Sequence, residues 1–193
     1  MRRPIARSFS YVLLAAGTLL VFVGTREYLD SRIGQTEAAR SFVMPGAGTE
    51  YVAPRLGESV AKLTIPRLAT QLYVVEGDGS RQLRLGPGHM TGTVLPGANG
   101  NCVIAGHRDT HFRVLKDIRK GDEIVLETEA GQFVYRVTDL EVVPPSDTAP
   151  LQPVSRAELN LITCYPFYFV GPAPKRFVVT AELEHSVLAE SSM

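Results

Sequence analysis

The chain has 193 residues, which is long enough for one domain with its own hydrophobic core and a small additional segment. Its 20 Lys and Arg residues balance 20 Asp and Glu residues, so neither a basic field suited to nucleic acid nor an acidic tail is present. Two cysteines are too few for a disulfide framework or a structural zinc site, and 13 prolines with 17 glycines indicate many turns, as in an all-β domain.

The N-terminal segment has the composition of a membrane anchor. Residues 8–25 carry no charge, and as a helix they would cover about 27 Å, close to the ~30 Å hydrocarbon core of a bilayer. Three arginines precede this segment and residues of mixed charge follow it, so the positive-inside rule keeps residues 1–7 in the cytoplasm and sends the remainder outside. The alternative is a cleaved signal peptide, but Phe22-Val23-Gly24 is a poor match to a small-x-small cleavage site. We therefore predict a retained single-span anchor.

Three further regions follow the predicted anchor. Residues 26–59 are predicted to form an extracytoplasmic tether, with a polar, helix-like piece through Arg40 and then a Gly/Pro-rich stretch. Residues 60–184 form the predicted globular domain, and residues 185–193 form a polar C-terminal tail.

Short strand-like runs recur along the globular domain. The first, from Val60 to Pro66, alternates apolar and polar residues, which is typical of a half-buried strand. Others are predicted at 72–75, 102–105, 123–128, 133–143, 159–164 and 177–183. Helical turns are predicted at 78–85, capped by Asp78 or Ser80, and at 112–118. Many short strands at near-regular spacing predict a small barrel or sandwich.

A cysteine, a histidine and an arginine each lie at an end of a predicted strand. Cys164 ends one strand and Arg176 immediately precedes the next, so the two would be neighbours if these strands pair. A thiol beside a fixed positive charge is a candidate nucleophile, because the charge favours the thiolate. His107 follows the strand 102–105, and an imidazole can take the thiol proton and return it to a leaving amine. If the three strand ends share one rim, the set suits acyl transfer through a thioester, with Arg176 stabilising the oxyanion.

Other interpretations of these residues stay open at this point. Cys164 could be a buried structural cysteine and Arg176 a surface residue. Cys102 lies on an apolar strand and is expected in the core, and its pairing with Cys164 in a disulfide is the less favoured alternative. His111 is a rival base, but it falls beyond the strand end. His89, after a glycine-rich loop, is expected to be a solvated loop histidine.

Three separated segments, in order along the chain, resemble the signature motifs of the sortase family. They read IAGHRD at 104–109, LITC at 161–164 and KRFVV at 175–179. LTIP at 63–66 resembles the first strand of that family, and GPGH at 86–89 resembles its glycine-rich loop. The likeness spans about Val60 to Leu183, and the continuation ITCYPF at 162–167 with the compact size favours the class D-like branch.

The resemblance implies an all-β fold: a closed eight-stranded sortase-type β-barrel with short helices, preceded by the transmembrane helix and facing outward from the bacterial cell membrane. It implies a cysteine transpeptidase in which Cys164 is the nucleophile, His107 the general acid/base and Arg176 the oxyanion and substrate-binding residue. Sortases cleave an LPxTG-like sorting signal between Thr and Gly, and an amine resolves the thioester. The implied partners are secreted proteins bearing that signal and an amine acceptor on a cell-wall precursor or a protein lysine. We expect no nucleic-acid partner and no cofactor.

The neighbours of the cysteine are the predicted substrate-binding residues: Thr163, Tyr165 and Phe167. The aromatic side chains of 165–169 either wall an apolar substrate groove or pack their loop onto the barrel. The loop 144–156 matches the segment that usually shapes sortase specificity. Some sortases bind calcium, but no comparable carboxylate cluster occurs in this sequence, so we expect no metal.

There are three alternatives to a sortase-type transpeptidase. A cysteine hydrolase would use the same Cys-His-Arg site, because water can resolve the thioester. In a membrane-anchored β-barrel binding module without activity, the cysteine, histidine and arginine would have no catalytic role. An L,D-transpeptidase is disfavoured, because the Ser-His-Gly-Cys-type motif of that family is absent.

Overall fold

The computed structural model describes residues 3–42 and 53–189. A long helix, α1 (Arg3–Ser41), precedes eight strands: β1 (Ser59–Ile65), β2 (Thr70–Glu76), β3 (Gly88–His89), β4 (Gly100–Gly106), β5 (Glu123–Thr128), β6 (Gly131–Val143), β7 (Ala157–Tyr165) and β8 (Lys175–Leu188). One short α-helix, α2 (Ser80–Leu85), and 3-10 helices at Pro66–Leu68, His111–Asp117 and Ala149–Leu151 lie in the connections.

The strands close into a barrel in the order β1-β2-β3-β4-β7-β8-β6-β5, with β5 pairing back to β1. The β2–β3 and β4–β7 pairs are parallel, and the remaining pairs are antiparallel. Closure pairs the sheet back on itself through β5 and β1, but the two-residue strand β3 covers β2 only at Val75 and Glu76. The predicted all-β, eight-stranded barrel with short helices is confirmed.

The barrel interior is a closely packed apolar core. Apolar side chains from alternate positions of the strands point inward, as the period-2 pattern predicts; the fully buried ones include Leu63, Ile65, Val74, Ile104, Ile124, Leu126, Leu159, Leu161 and Val179. Tyr135 is also fully buried, and its hydroxyl accepts a hydrogen bond of 2.7 Å from the Gly97 amide. Burial raises the pKa of Tyr135 well above its ordinary value, so its hydroxyl stays protonated.

Several elements differ from the sequence expectation in extent. Helix α1 is continuous through the predicted anchor and the first part of the predicted tether. Strand β8 continues to Leu188, into the stretch predicted as a polar tail. Gly79 occupies the N-cap position of α2, where the sequence predicts Asp78 or Ser80. The Gly/Pro-rich part of the tether at 43–52, the first two residues and the last four lie outside the described residues.

The first half of α1 has the surface of a lipid-facing helix. Ser10–Ser41 is the one helix of the described residues that is long and apolar enough to cross a membrane. Its large apolar side chains are exposed instead of packing on the barrel: Tyr11, Val12, Leu13, Leu14, Leu19, Leu20, Val21, Phe22 and Val23. A helix that is apolar all round and unburied is typical of a membrane span.

The second half of α1 docks on the outside of the barrel. The Gln35 side chain donates to the carbonyls of Tyr73 (2.9 Å) and Leu85 (3.0 Å), and accepts from the Tyr73 amide (2.7 Å). Gly34 lets the helix approach α2 closely, because a Cβ at this position would lie 2.5 Å from the Cα of Leu85. Ala38, one turn further along the helix, is also buried. The helix is thus attached to the barrel by specific hydrogen bonds and close packing.

His89 is buried, at 3% exposed, so the expectation of a solvated loop histidine is wrong. Its Nδ1 lies 2.6 Å from Oε2 of Glu76, and its Nε2 lies 3.0 Å from the Val94 carbonyl and 3.1 Å from the Thr93 hydroxyl. The Thr91 hydroxyl donates to the other carboxylate oxygen of Glu76 at 2.9 Å. β3 places the imidazole beside the end of β2, and every polar atom of the pair has a partner, as burial requires.

We expect Glu76→Ala and His89→Ala each to lower the free energy of unfolding by about 3–5 kcal/mol, because each leaves a buried polar partner unpaired. The matched control is Lys62→Ala, which removes a 3.0 Å ion pair with Glu127 at the barrel surface and should cost about 1 kcal/mol or less. Chemical denaturation of the three variants measures the difference. Equal small losses in all three would contradict a structural role for the buried pair.

Candidate active site

The pairing of β7 with both neighbours brings the three candidate catalytic residues to one end of the barrel. Cys164 lies directly opposite Arg176 in the antiparallel β7–β8 ladder, as the sequence predicted for a strand pair. On the other side, Thr163 pairs with Gly106 in the parallel β4–β7 ladder. His107 follows Gly106 directly, so it leaves β4 beside the end of β7. The three strand ends therefore share one rim.

His107, Cys164 and Arg176 line one cleft with a volume of about 320 Å³. Its other walls come from strand ends, from α2 and from the β6–β7 loop: Asp78, Leu83, Met90, Ala105, Val143, Pro145, Asp147, Pro150, Leu151, Ile162, Thr163 and Val178. Most of these side chains are apolar; Asp78, Asp147 and Thr163 are polar, and His107, Cys164 and Arg176 add three further polar or ionisable groups. A mostly apolar cleft with a few polar groups is the usual composition of a ligand-binding site.

The backbone before His107 is held by close packing against a buried ring. A Cβ on Gly106 would lie 2.6 Å from the Phe112 ring, so only glycine fits at this position. Phe112 is fully buried, and its amide donates to the His107 carbonyl at 3.0 Å. The 3-10 helix His111–Asp117 thus folds back on the strand end and fixes the point at which His107 leaves the barrel.

The two cysteines have opposite environments. Cys164 is half-buried in the cleft, whereas Cys102 is in the core and burial raises the pKa of its thiol. Both are free. Cys102 pairs with Leu159 across the β4–β7 ladder, which leaves five residues, or roughly 16 Å of extended strand, between it and Cys164. A disulfide needs Cα atoms within about 7 Å, so the fold excludes this disulfide.

His111, the rival base, lies outside the cleft. It is 7% exposed, and its Nε2 is 2.9 Å from the hydroxyl of Ser31 on α1. Burial lowers the pKa of His111 to about 4, and the nearby His107 contributes in the same direction. His111 is therefore neutral at pH 7, and its side chain connects the 3-10 helix to α1. Of the two histidines, only His107 faces the cleft.

The predicted substrate-binding residues take different positions. Thr163 lines the cleft, but it is buried and its hydroxyl donates to the Gly106 carbonyl at 2.7 Å. Tyr165 and Phe167 are not among the described residues that line the cleft. Their rings form a cluster with Phe177, with centroid separations of 5.5–6.3 Å. For these two side chains the geometry favours packing of the loop onto the barrel over lining of a groove.

Arg176 is held at the start of β8 by the loop that precedes it. Its Nη1 donates to the carbonyls of Lys175 (3.0 Å) and Ala173 (3.3 Å). Both bonds come from Nη1 to main-chain oxygens, and no carboxylate among the described residues is a partner of this guanidinium. A guanidinium beside a half-buried thiol can stabilise the negative charge that develops on the oxygen of an attacked carbonyl.

Arg108 is a residue of this site that the sequence did not identify. It directly follows His107, and its guanidinium donates to the carbonyls of Pro166 (3.2 Å), Phe169 (3.0 Å) and Gly171 (3.1 Å). Arg108 thus ties the β7–β8 loop, which joins Cys164 to Arg176, to the strand end that carries His107. Its partners are about sixty residues away in the chain, and no local pattern points to them.

Among the described residues, no group of three or more His, Cys, Asp or Glu side chains is placed to hold a metal ion. The candidate residues that strand pairing brings to this rim are Cys164, His107 and Arg176.

Comparison with known proteins assigns the barrel to a family. The family model of the Sortase domain matches residues 63–184. Sortase D of Bacillus subtilis (strain 168) is 38% identical over 127 residues, which are 65% of this chain and 64% of that protein. This chain therefore spans slightly less than two thirds of the length of that relative.

Solved structures show the same fold. The Clostridium perfringens sortase D5 transpeptidase has a TM-score of 0.66 at 26% identity, covering 81% of this chain and 99% of that one. The catalytic domain of B. anthracis SrtD has a TM-score of 0.61 at 30% identity, covering 72% and 96% respectively.

Acidification should destabilise the fold through His111. Its pKa is about 4 in the folded protein against an ordinary 6.5, so its contribution is complete above pH 6.5 and is lost as the pH falls through 4. Between pH 7 and pH 4 we expect the full chain in detergent to lose about 3 kcal/mol more unfolding free energy than His111→Gln does. Chemical denaturation at several pH values measures this difference. Parallel pH profiles of the two proteins would contradict it.

Proposed function

This chain belongs to the sortase family, and we propose that it acts as a membrane-anchored, class D-like cysteine transpeptidase. The observation that carries the proposal is the register of β7: it sets Cys164 opposite Arg176 and beside the strand end that bears His107. Sortases are cysteine transpeptidases, and this arrangement of thiol, imidazole and guanidinium suits that chemistry.

The proposed reaction has two acyl transfers on one thiol. His107 takes the proton of Cys164, and the thiolate sulfur attacks the carbonyl carbon of the Thr–Gly bond in an LPxTG-like sorting signal. Arg176 stabilises the oxyanion of the tetrahedral intermediate. As the C–N bond breaks, His107 returns the proton to the departing amine, which leaves a thioester on Cys164. An acceptor amine then attacks the thioester, loses a proton to His107 and releases the thiolate.

The cleft geometry supports recognition of an extended peptide. Pro145, Pro150 and Leu151 of the β6–β7 loop form one apolar wall. That loop is attached to the core, because the buried Asn101 side chain donates to the carbonyls of Pro150 (2.8 Å) and Gln152 (3.0 Å). A loop that is already fixed before the peptide binds does not have to become ordered on binding. This lowers the entropic cost of binding a sorting signal.

The proposed location is the bacterial cell membrane, with one span and the catalytic domain outside. The exposed apolar first half of α1 supports the span, and the arginines at positions 2, 3 and 7 support a cytoplasmic N-terminus by the positive-inside rule. The proposed partners are secreted proteins that carry the sorting signal and an amine acceptor on a cell-wall precursor or a protein lysine.

Each of the three proposed catalytic residues should be needed for acylation. With a peptide carrying an LPxTG-like signal, we expect mass spectrometry to show an acyl adduct on Cys164 and none in Cys164→Ala. His107→Ala should slow acylation by about 10²–10⁴-fold and Arg176→Ala by about 10²–10³-fold. Cys102→Ala is the matched control, since it removes a thiol from the core and should still form the adduct.

The fate of the adduct separates the candidate enzymes. A ligated product that requires an added primary amine supports the transpeptidase, whereas release by water alone, amine present or not, supports a hydrolase with the same site. An adduct in Cys164→Ala would contradict the assignment of the nucleophile.

Thiol reactivity tests the site without a substrate. Because Cys164 lies half-buried in an open cleft and Cys102 lies in the core, we expect an alkylating reagent to modify Cys164 in the native protein and Cys102 only after unfolding. Peptide mapping of the alkylated protein reads out each position. A native Cys164 as unreactive as Cys102 would favour an inactive binding module.

A further inference from the structure

We propose that the tip of the β7–β8 loop is a membrane-contacting surface, which holds the catalytic rim of the barrel against the outer face of the bilayer. The tip comprises Tyr168, Phe169 and Val170, which are 69%, 46% and 99% exposed. None of the three lines the cleft, so substrate binding there does not account for their exposure. The inference rests on the proposed membrane anchoring of α1.

The docked helix places this rim close to the bilayer. Ser31 of α1 is hydrogen bonded to His111, and it lies six residues beyond the end of the uncharged segment at Thr25. At 1.5 Å per residue these six residues rise by about 9 Å. The headgroup layer adds roughly 5–7 Å on each side of the hydrocarbon core, so His111 lies at or just above headgroup level. Because α1 is one continuous helix, no flexible joint separates the span from this contact.

The tip is attached to the same 3-10 helix that His111 begins. Lys116 donates to the Tyr168 hydroxyl at 3.3 Å, and the Arg113 guanidinium lies 5.3 Å from the centre of the Tyr168 ring. Arg108 contacts the next residue, with its guanidinium 5.7 Å from the centre of the Phe169 ring. These contacts hold the tip next to the 3-10 helix. The outer side of the tip, which includes Val170, remains exposed.

The chemistry of this face fits a lipid surface. The segments 107–120 and 165–176 together carry seven Lys and Arg side chains against two Asp, although the chain as a whole has no net charge. Exposed apolar and aromatic groups surrounded by cations are the pattern of interfacial membrane contacts, because the apolar groups enter the acyl boundary while the cations meet anionic headgroups. The occupant that the helix geometry favours is therefore the bilayer that α1 crosses.

Membrane contact at the tip would orient the active site. The tip and both catalytic strand ends belong to the same rim, since the β7–β8 loop joins Cys164 to Arg176. A substrate that is itself held in the membrane near its sorting signal would then meet the cleft without the barrel having to reorient, which raises the effective concentration of the two reacting groups.

The test uses the absence of tryptophan, which makes any introduced Trp a single reporter. Val170→Trp probes the tip, Leu20→Trp probes the span, and Val187→Trp probes an exposed position at the opposite end of β8. The full-length variants are reconstituted in phosphatidylcholine/phosphatidylglycerol vesicles that contain lipids brominated near the headgroup end of the acyl chain. Brominated lipids occupy both leaflets, so the readout does not depend on protein orientation.

We expect the bromolipids to quench the fluorescence of Val170→Trp and Leu20→Trp, and to leave Val187→Trp unquenched. Replacing phosphatidylglycerol by phosphatidylcholine, or raising the salt concentration, should weaken the quenching of Val170→Trp and leave that of Leu20→Trp unchanged.

Other quenching patterns would contradict either the surface contact of the tip or the anchoring of α1. Quenching of Leu20→Trp without that of Val170→Trp refutes the surface contact and leaves the anchor intact, whereas an unquenched Leu20→Trp refutes the anchoring itself. A blue-shifted but unquenched Val170→Trp would show that a second copy or another protein covers the tip. Equal quenching of Val170→Trp and Val187→Trp would show adsorption without a defined face.

Discussion

The arrangement of this protein depends on the hydrogen-bond register of one strand, β7. It lies between β4 and β8, parallel to the first and antiparallel to the second, so its last residues meet a strand end on each side. A shift of one residue would turn Cys164 from the cleft to the other face of the sheet. The buried side chains of Leu159 and Leu161 oppose such a shift, because they would have to leave the core. The hydrophobic core therefore sets the geometry of the candidate active site.

Two loops of the site are each attached to the barrel by one polar side chain. Arg108 holds the β7–β8 loop through three carbonyls, and Asn101 holds the β6–β7 loop through two. The Asn101 side chain is itself fixed, because Asn160 donates to its oxygen at 2.9 Å. Backbone carbonyls are acceptors in any sequence, so this mode of attachment lets the loop side chains vary while the loop path is kept. Specificity and chemistry can thus change separately.

Helix α1 links the barrel to its surroundings as a structural element of the domain. The Gln35 side chain makes the hydrogen bonds to the Tyr73 backbone that a neighbouring strand would otherwise make. Ser31 contacts His111, which lies four residues after the candidate base His107. If α1 spans a membrane as proposed, its docking on the barrel restricts the height and tilt of the cleft above the bilayer, which a flexible linker would leave free. The neutral, buried His111 belongs to this contact between α1 and the 3-10 helix.

Sequence alone determined the features that local patterns encode: strand positions from period-2 alternation, the apolar segment 8–25, and the candidates Cys164, His107 and Arg176 from their places at strand ends. Tertiary structure decided the features whose partners lie far apart in the chain. Arg108 binds carbonyls about sixty residues away, His89 is buried because β3 sets it against Glu76, and Gln35 meets the barrel across thirty-eight residues. Tyr165 and Phe167 turned toward Phe177 for the same reason. A periodic pattern reports which face of an element is apolar, but it contains no information on what that face will meet.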